Sequence, residues 1–163
     1  MCYPDNMPAS SNKLEFITSY NQFYIADKNY KGNTGANFWN KEAYFANMAI
    51  DNGIIGINTE SYGYIKGELE IFDSKPRDLD INKYDHIVEG GLTISSGEIQ
   101  VLNCPDSNVE LRASVHPGSY SVRVYFLGLI GLKSDDYDEE LKDFYRIQIW
   151  PDSSMKREVL KQY

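Results

Sequence analysis

The segment from Asp85 to Glu89 holds the residue types that most readily suggest chemistry. Asp85 and Glu89 lie in phase on one face of a predicted strand, and His86 faces the other way. With a third oxygen or nitrogen ligand, these side chains could bind a divalent ion or perform acid-base work. The sequence supplies no such group, because the only other histidine, His116, precedes Pro117 in a predicted turn. A hydrogen-bonded structural role for His86 is the simpler interpretation, and a small-ligand or metal site at Asp85, His86 and Glu89 is the alternative.

The sequence lacks the short motifs that identify common enzymes. It has no glycine-rich loop ending in Lys-Ser or Lys-Thr, no His-Glu-x-x-His, no Cys-x-x-Cys and no Gly-x-Ser-x-Gly. Cys2 and Cys104 are the only cysteines, too few for a disulfide framework or a structural zinc site. We therefore predict a protein that is not an enzyme, has no catalytic residues and binds no metal or cofactor.

The stretch from residue 135 to residue 143 is the most acidic part of the chain. Six carboxylates stand against one lysine, Lys142, which gives this stretch a net charge of -5 in a chain of net charge -8. One interpretation is a solvated connection between two strands. The other is a docking surface for a basic protein partner, with carboxylates in the places of phosphates and Tyr137 as an aromatic anchor. The predicted docking residues are Asp135, Asp136, Tyr137, Asp138, Glu139, Glu140 and Asp143.

The tyrosines raise a third possibility. There are 13 of them, and exposed aromatic rings could stack on the faces of sugars. Such a carbohydrate-binding surface requires several rings in a coplanar row on one sheet face, whereas most tyrosines in a strand-rich protein simply form part of the sheet surface. The tyrosines considered for this role are Tyr3, Tyr20, Tyr24, Tyr62, Tyr64 and Tyr125.

Length and composition limit the class of protein that must position these residues. The chain has 163 residues, 42% hydrophobic and 25% charged, which predicts one globular domain. The net charge of -8 disfavours direct binding to nucleic acid or anionic membranes. No run reaches the roughly 18 apolar residues of a membrane span, and the N-terminus shows no targeting pattern, so we predict a soluble, cytoplasmic protein. Residues 1–13 are predicted to be a flexible leader and residues 14–163 the domain.

Alternation of apolar and polar residues dominates the chain and predicts about nine strands. One segment differs: from about residue 41 to 51 the apolar residues recur four apart, which predicts a helix capped by Asn40 and stopped by Gly53. The predicted fold is therefore mainly β, a two-layer antiparallel, jelly-roll-like β-sandwich with one α-helix. The predicted strands are 14–25, 54–58, 64–72, 85–88, 92–94, 99–101, 109–115, 120–127 and 145–150.

Two turn signals predict which strands are neighbours. Ser96 and Gly97 separate two apolar arms, and glycine takes the positive φ of a tight hairpin. Residues 116–119 read His-Pro-Gly-Ser, a turn sequence that predicts a second antiparallel pair. The glycines at Gly56 and Gly67 lie in strands and are assigned structural roles, because a dinucleotide site needs them at the start of a helix.

Several phrases of the chain, taken in order, resemble the competence protein J (ComJ) family of DNA-entry nuclease inhibitors. The resemblance spans about residues 14–160. None of the phrases is a catalytic signature, and their order carries the resemblance. The phrases are SYNQFY at 19–24, GIIGI at 53–57, YGYIKGELE at 62–70, YDHIVE at 84–89, PGSYSVRV at 117–124 and YRIQIWP at 145–151.

The resemblance implies a non-enzymatic protein that binds and silences a nuclease. Together with the acidic charge, it leads to the hypothesis that carboxylates of this chain occupy the basic active-site cleft of a DNA-entry or toxin nuclease and exclude nucleic acid. The resemblance implies a link to competence and DNA uptake. It assigns no individual inhibitory residue, so the docking face is predicted from charge alone.

Overall fold

The computed structural model describes residues 7–32, 34–60, 63–77, 81–129 and 143–163. Within these ranges eleven strands form two sheets that pack face to face. In spatial order, sheet A contains β1 (Ser10–Ile17), β5 (Tyr64–Ile71), β10 (Phe144–Pro151), β9 (Gly118–Leu127), β6 (His86–Ile94) and β11 (Glu158–Lys161). Sheet B contains β3 (Met48–Asp51), β4 (Ile54–Asn58), β2 (Gln22–Asp27), β7 (Glu98–Leu102) and β8 (Val109–Ser114). The predicted two-layer β-sandwich with one α-helix, α1 (Lys41–Ala46), is confirmed.

Alternate side chains of both sheets fill the space between the layers, as period-two patterning predicts. Phe23 of β2 packs edge-on against Phe16 of β1 and Tyr145 of β10, with ring centroids 5.5 and 5.8 Å apart. Phe126 of β9 meets Tyr145 in the same geometry at 5.1 Å. The pairs of Phe23 join sheet B to sheet A, and the pair of Phe126 and Tyr145 orders the rings within sheet A.

One strand pair departs from the antiparallel pattern. β5 and β10 run parallel, whereas the other strand pairs in the described ranges are antiparallel. Gly67 of β5 lies opposite Tyr145, and a Cβ atom at this position would overlap with the Tyr145 carbonyl oxygen. Glycine therefore permits the close approach of these two strands.

The predicted hairpin at Ser96 and Gly97 is wrong, because β6 belongs to sheet A and β7 to sheet B. The turn carries the chain from one layer to the other. The carboxylate of Asp27 at the end of β2 holds it, accepting hydrogen bonds from the backbone N–H groups of Ser95 and Ser96 at 3.1 and 3.2 Å and from both hydroxyls. Although burial acts in the opposite direction, these four donors lower the pKa of Asp27.

The pair predicted across residues 116–119 is wrong for the same reason. β8 pairs with β7 in sheet B, and β9 pairs with β6 and β10 in sheet A. The Val115 N–H donates to the Gly97 carbonyl at 2.9 Å, which ties the two crossing connections together. Turn residues indicate that a chain reverses, but they do not indicate whether the next strand joins the same sheet.

The helix begins where predicted and ends earlier. The Asn40 side chain accepts a hydrogen bond from the Ala43 N–H at 2.8 Å, which confirms the N-cap. Asn47, with φ of 58°, ends the helix in place of Gly53, and its carbonyl accepts a hydrogen bond from the Asn58 N–H at 3.1 Å. The residues after Asn47 form β3 instead of continuing the helix, because their backbone groups pair with β4.

The first strand also differs from its predicted bounds. β1 begins at Ser10, before Leu14, the predicted start of the domain, and the predicted strand 14–25 is divided into β1 and β2 by a turn. Residues 10–13 of the predicted leader are thus part of a strand. No helix in the described part of the chain combines the length and apolar composition needed to cross a membrane.

Candidate functional site

His86 lies in the interior and is held by two backbone groups. Its Nε2 atom is 2.7 Å from the Ala46 carbonyl oxygen, and its Nδ1 atom is 3.2 Å from the Tyr163 backbone nitrogen. A backbone N–H only donates, so Nδ1 accepts and the neutral ring donates its proton from Nε2 to Ala46. Burial lowers the pKa of His86, although the hydrogen bond to Ala46 acts the other way. This neutral ring joins α1 to the segment after β11.

Asp85 and Glu89 do not converge with His86. One Asp85 oxygen accepts a hydrogen bond from the Leu129 N–H at 2.8 Å. Glu89 forms an ion pair with Arg123 on the outer face of sheet A, with both Nε and Nη2 2.6 Å from Oε1. The structure thus separates the three residues of the alternative site into three structural interactions. In the described ranges, no cluster of three or more His, Cys, Asp or Glu residues is arranged to hold a metal ion.

Arg123 is a buried charge that the sequence analysis did not single out. Its side chain is 1% exposed, donates to the Tyr125 hydroxyl at 3.0 Å and lies over the Trp150 ring at 4.9 Å. Burial disfavours the charge, but hydrogen bonds and charge interactions with Tyr125 and Glu89 raise the pKa of Arg123 overall. The sequence signal for this ion pair is the opposite charge of Arg123 and Glu89. It indicates a contact only when β6 and β9 are known to be neighbouring strands.

Asp143 has a different position from that predicted. It is 1% exposed and accepts a hydrogen bond from the Tyr145 hydroxyl. In this structure the carboxylate is bonded within the fold, and its assignment as a docking residue stays a prediction. The other predicted docking residues, Asp135, Asp136, Tyr137, Asp138, Glu139 and Glu140, lie outside the described residues and stay a prediction.

The tyrosines do not form a row of exposed rings in the described ranges. Tyr125 is buried, and Tyr24 and Tyr64 are half-buried. Tyr20 is exposed. Tyr3 and Tyr62 lie outside the described residues. The geometry expected of a carbohydrate-binding face is thus not formed by Tyr20, Tyr24, Tyr64 and Tyr125.

Three connections meet at one end of the sandwich, which we call the Tyr20 end. It consists of the β1–β2 turn (residues 18–21), the β4–β5 loop (59, 60 and 63) and the β7–β8 loop (103–108). The Thr18 N–H donates to the Gly63 carbonyl at 2.7 Å. The Ser19 N–H donates to the Cys104 carbonyl at 2.9 Å. These backbone hydrogen bonds join the three connections into one surface.

The acidic segment is attached at the same end. Leu127, at the end of β9, pairs with Phe144, at the start of β10, so the chain leaves and re-enters sheet A here. The Glu60 N–H donates to the Tyr145 hydroxyl at 3.1 Å, which connects the start of β10 to the β4–β5 loop. The topology therefore brings both flanks of the acidic segment to the Tyr20 end.

The comparisons with known proteins identify a shared fold. No protein-family model matches the sequence, and no curated protein matches it significantly. A crystal structure of ComJ from Bacillus subtilis, described as an inhibitor of the DNA degrading activity of NucA, is similar with a TM-score of 0.64 and 17% identity, covering 88% of this chain and 98% of that chain. A structure described as crocagin biosynthetic gene J has a TM-score of 0.57 and 15% identity, covering 88% and 97%. The chain has the fold of ComJ, so the resemblance seen in the sequence is confirmed at the level of the fold.

Proposed function

We propose that this protein is a nuclease inhibitor that acts by binding rather than by catalysis. The observation that carries the proposal is the structural similarity to ComJ, which extends over 88% of this chain and 98% of that protein. A shared fold alone does not transfer a function. The residue-level observations that support the transfer are the net charge of -8 and the position of the two flanks of the acidic segment.

The inhibitor is proposed to occupy the basic cleft in which the nuclease binds DNA. Clustered carboxylates compete with phosphates for the same cationic side chains, and their field accelerates association with a basic partner. Both flanks of the acidic segment adjoin the Tyr20 end, which makes this end the proposed docking face. Protection of incoming or resident DNA in a competent bacterium, from a cytoplasmic location, is the biological role that this activity would serve.

The polar groups of the alternative site support this proposal over catalysis or small-ligand binding. His86, Asp85 and Glu89 each have a structural hydrogen-bond or ion-pair partner and do not face a common cavity. A general base or a metal ligand needs a free lone pair directed at a substrate or an ion. The one available lone pair of neutral His86, on Nδ1, already accepts a hydrogen bond from the Tyr163 N–H.

A cleavage assay tests the proposal. The purified protein is titrated into Bacillus subtilis NucA and, separately, into DNA-degrading nucleases of the organism that encodes this chain, with linear DNA as substrate. We expect stoichiometric loss of cleavage for at least one of these enzymes, and co-elution of the two proteins in gel filtration. Undiminished cleavage by every enzyme at an equimolar ratio would reject the function.

A further inference from the structure

The backbone of the β1–β2 turn is strained at an unusual residue. Tyr20 has a φ of 59° and Asn21 a φ of 54°. Asparagine tolerates this left-handed conformation, whereas for a bulky residue it costs about 1–2 kcal/mol. The Tyr20 side chain is 68% exposed, so burial of the ring does not repay that cost. Neither backbone preference nor packing against the described residues explains a tyrosine at this position.

Hydrogen bonds from both sides hold the turn in place. The buried Thr18 hydroxyl donates to the Gln22 carbonyl at 2.6 Å and accepts from the Cys104 N–H at 2.8 Å. The Asn21 carbonyl accepts from the Thr59 N–H at 2.8 Å. Tyr20 is therefore presented on a base fixed by two neighbouring loops. Such preorganisation reduces the conformational entropy that is lost when a partner binds.

The surroundings of Tyr20 are apolar and acidic. Ile17, the last residue of β1, is 59% exposed. Glu60 and Asp106 are exposed on the two flanking loops. The described residues of the three connections that form the Tyr20 end include no lysine or arginine. An aromatic centre with an acidic rim is complementary to a pocket surrounded by basic residues.

We propose that Tyr20 is the aromatic anchor of the docking surface and that its partner is a protein with a basic binding groove. The inference deepens the proposed function and rests on it. Exposed, rigidly held tyrosines are frequent among the few residues that dominate a binding energy. Strain in an isolated protein persists at positions where a partner uses the resulting geometry.

A second exposed aromatic residue provides a matched control. Phe45 of α1 is 66% exposed, but it lines a groove of about 440 Å³ with Lys41, Glu42 and Arg157. The two cations outnumber the one carboxylate, so the lining is net positive and disfavours a basic partner. Phe45 and Tyr20 are therefore similar in exposure and opposite in the charge of their surroundings.

The test uses the nuclease that the wild-type protein inhibits, the variants Tyr20→Asn and Phe45→Gln, and two readouts. Asparagine accepts the left-handed backbone and removes the ring, so Tyr20→Asn is expected to unfold at an equal or higher temperature than the wild type. Its affinity for the nuclease, measured by isothermal titration calorimetry, is expected to fall at least about tenfold. Phe45→Gln is expected to bind like the wild type.

The possible outcomes distinguish a failure of the Tyr20 anchor from a failure of the proposed function. Wild-type affinity in Tyr20→Asn would overturn the anchor and leave nuclease inhibition standing. A lower unfolding temperature in this variant would show that Tyr20 stabilises the fold, which would also overturn the inference. Loss of affinity in Phe45→Gln with none in Tyr20→Asn would locate docking at α1. Failure of the wild-type protein to inhibit any nuclease would reject the proposed function and the inference together.

Discussion

His86 links the stability of the whole domain to the position of one proton. Its Nδ1 atom accepts the hydrogen bond from the Tyr163 N–H, so a protonated ring would lose this interaction. The unfolded chain takes up a proton near the ordinary histidine pKa of 6.5, and the folded chain does so only at lower pH. Below the unfolded pKa the unfolded state therefore binds more protons, and stability decreases as pH falls.

We expect the free energy of unfolding, measured by urea denaturation, to decrease between about pH 7.5 and about pH 5.5, a window above the ordinary carboxylate range. His86→Gln should cost about 1–3 kcal/mol at the higher pH, because it leaves a buried group without its partner. The same variant should also abolish the decrease in the free energy of unfolding between these pH values. His116→Gln is the control, and its free energy of unfolding should still decrease as the pH falls. A full pH dependence in His86→Gln would contradict the role assigned to this ring.

Exposure was the least predictable property of single residues. The hydrogen-bonded role of His86 followed from the absence of other ligands in the sequence. Its partners, Ala46 and Tyr163, are distant in the chain and are known only from the fold. Asp143 belongs by composition to the acidic segment, yet it is buried beside Tyr145 because β10 begins there. Charge patterning describes a segment, whereas burial is decided by its neighbours in space.

At the scale of elements, the parallel contact of β5 and β10 depends on the missing side chain of Gly67. Any Cβ atom there meets the carbonyl oxygen of Tyr145, which cannot move without disturbing the sheet. We expect Gly67→Ala to destabilise the protein by about 3 kcal/mol or more in urea denaturation. Gly35→Ala is the matched control, because among the described residues, its own chain neighbours apart, no atom lies within 4 Å of the position that a Cβ would take at Gly35. A Gly67→Ala protein as stable as Gly35→Ala would contradict this role.

Strand positions were predictable from the sequence, whereas strand partners were not. The short apolar run over residues 54–58 predicts the bounds of β4, and both faces of this strand are buried, Ile55 and Ile57 in the core between the sheets and Ile54 in a second apolar cluster. The residues Ser96 and Gly97 predict a hairpin, but the positive φ of Gly97 is equally compatible with a turn that connects the two layers. The turn between layers is stabilised by Asp27 of β2, whose carboxylate accepts hydrogen bonds from the N–H groups of Ser95 and Ser96. Such a contact between distant residues leaves no local pattern.

At the scale of the whole molecule, the question is whether the net charge or its placement directs association. A net charge of -8 attracts any basic protein, but -5 of it belongs to the acidic segment, whose described flanks adjoin the Tyr20 end. Long-range steering depends on the total charge, whereas orientation at contact depends on where the charge lies. Two double variants separate these effects, because both remove two charges, one from the acidic segment and the other from the end of the sandwich that lies away from its flanks.

Asp135→Asn with Asp136→Asn removes two charges from the acidic segment, and Asp51→Asn with Asp73→Asn removes two exposed charges at the opposite end of the sandwich. We expect the first pair to slow association with the nuclease about threefold or more at low salt, and the second pair to have a smaller effect. Stopped-flow association rates from about 0.05 M to about 0.5 M NaCl provide the measurement, and screening should reduce the difference at high salt. Equal slowing by both pairs would mean that total charge alone steers the encounter. In that case the acidic segment would have no special part in docking.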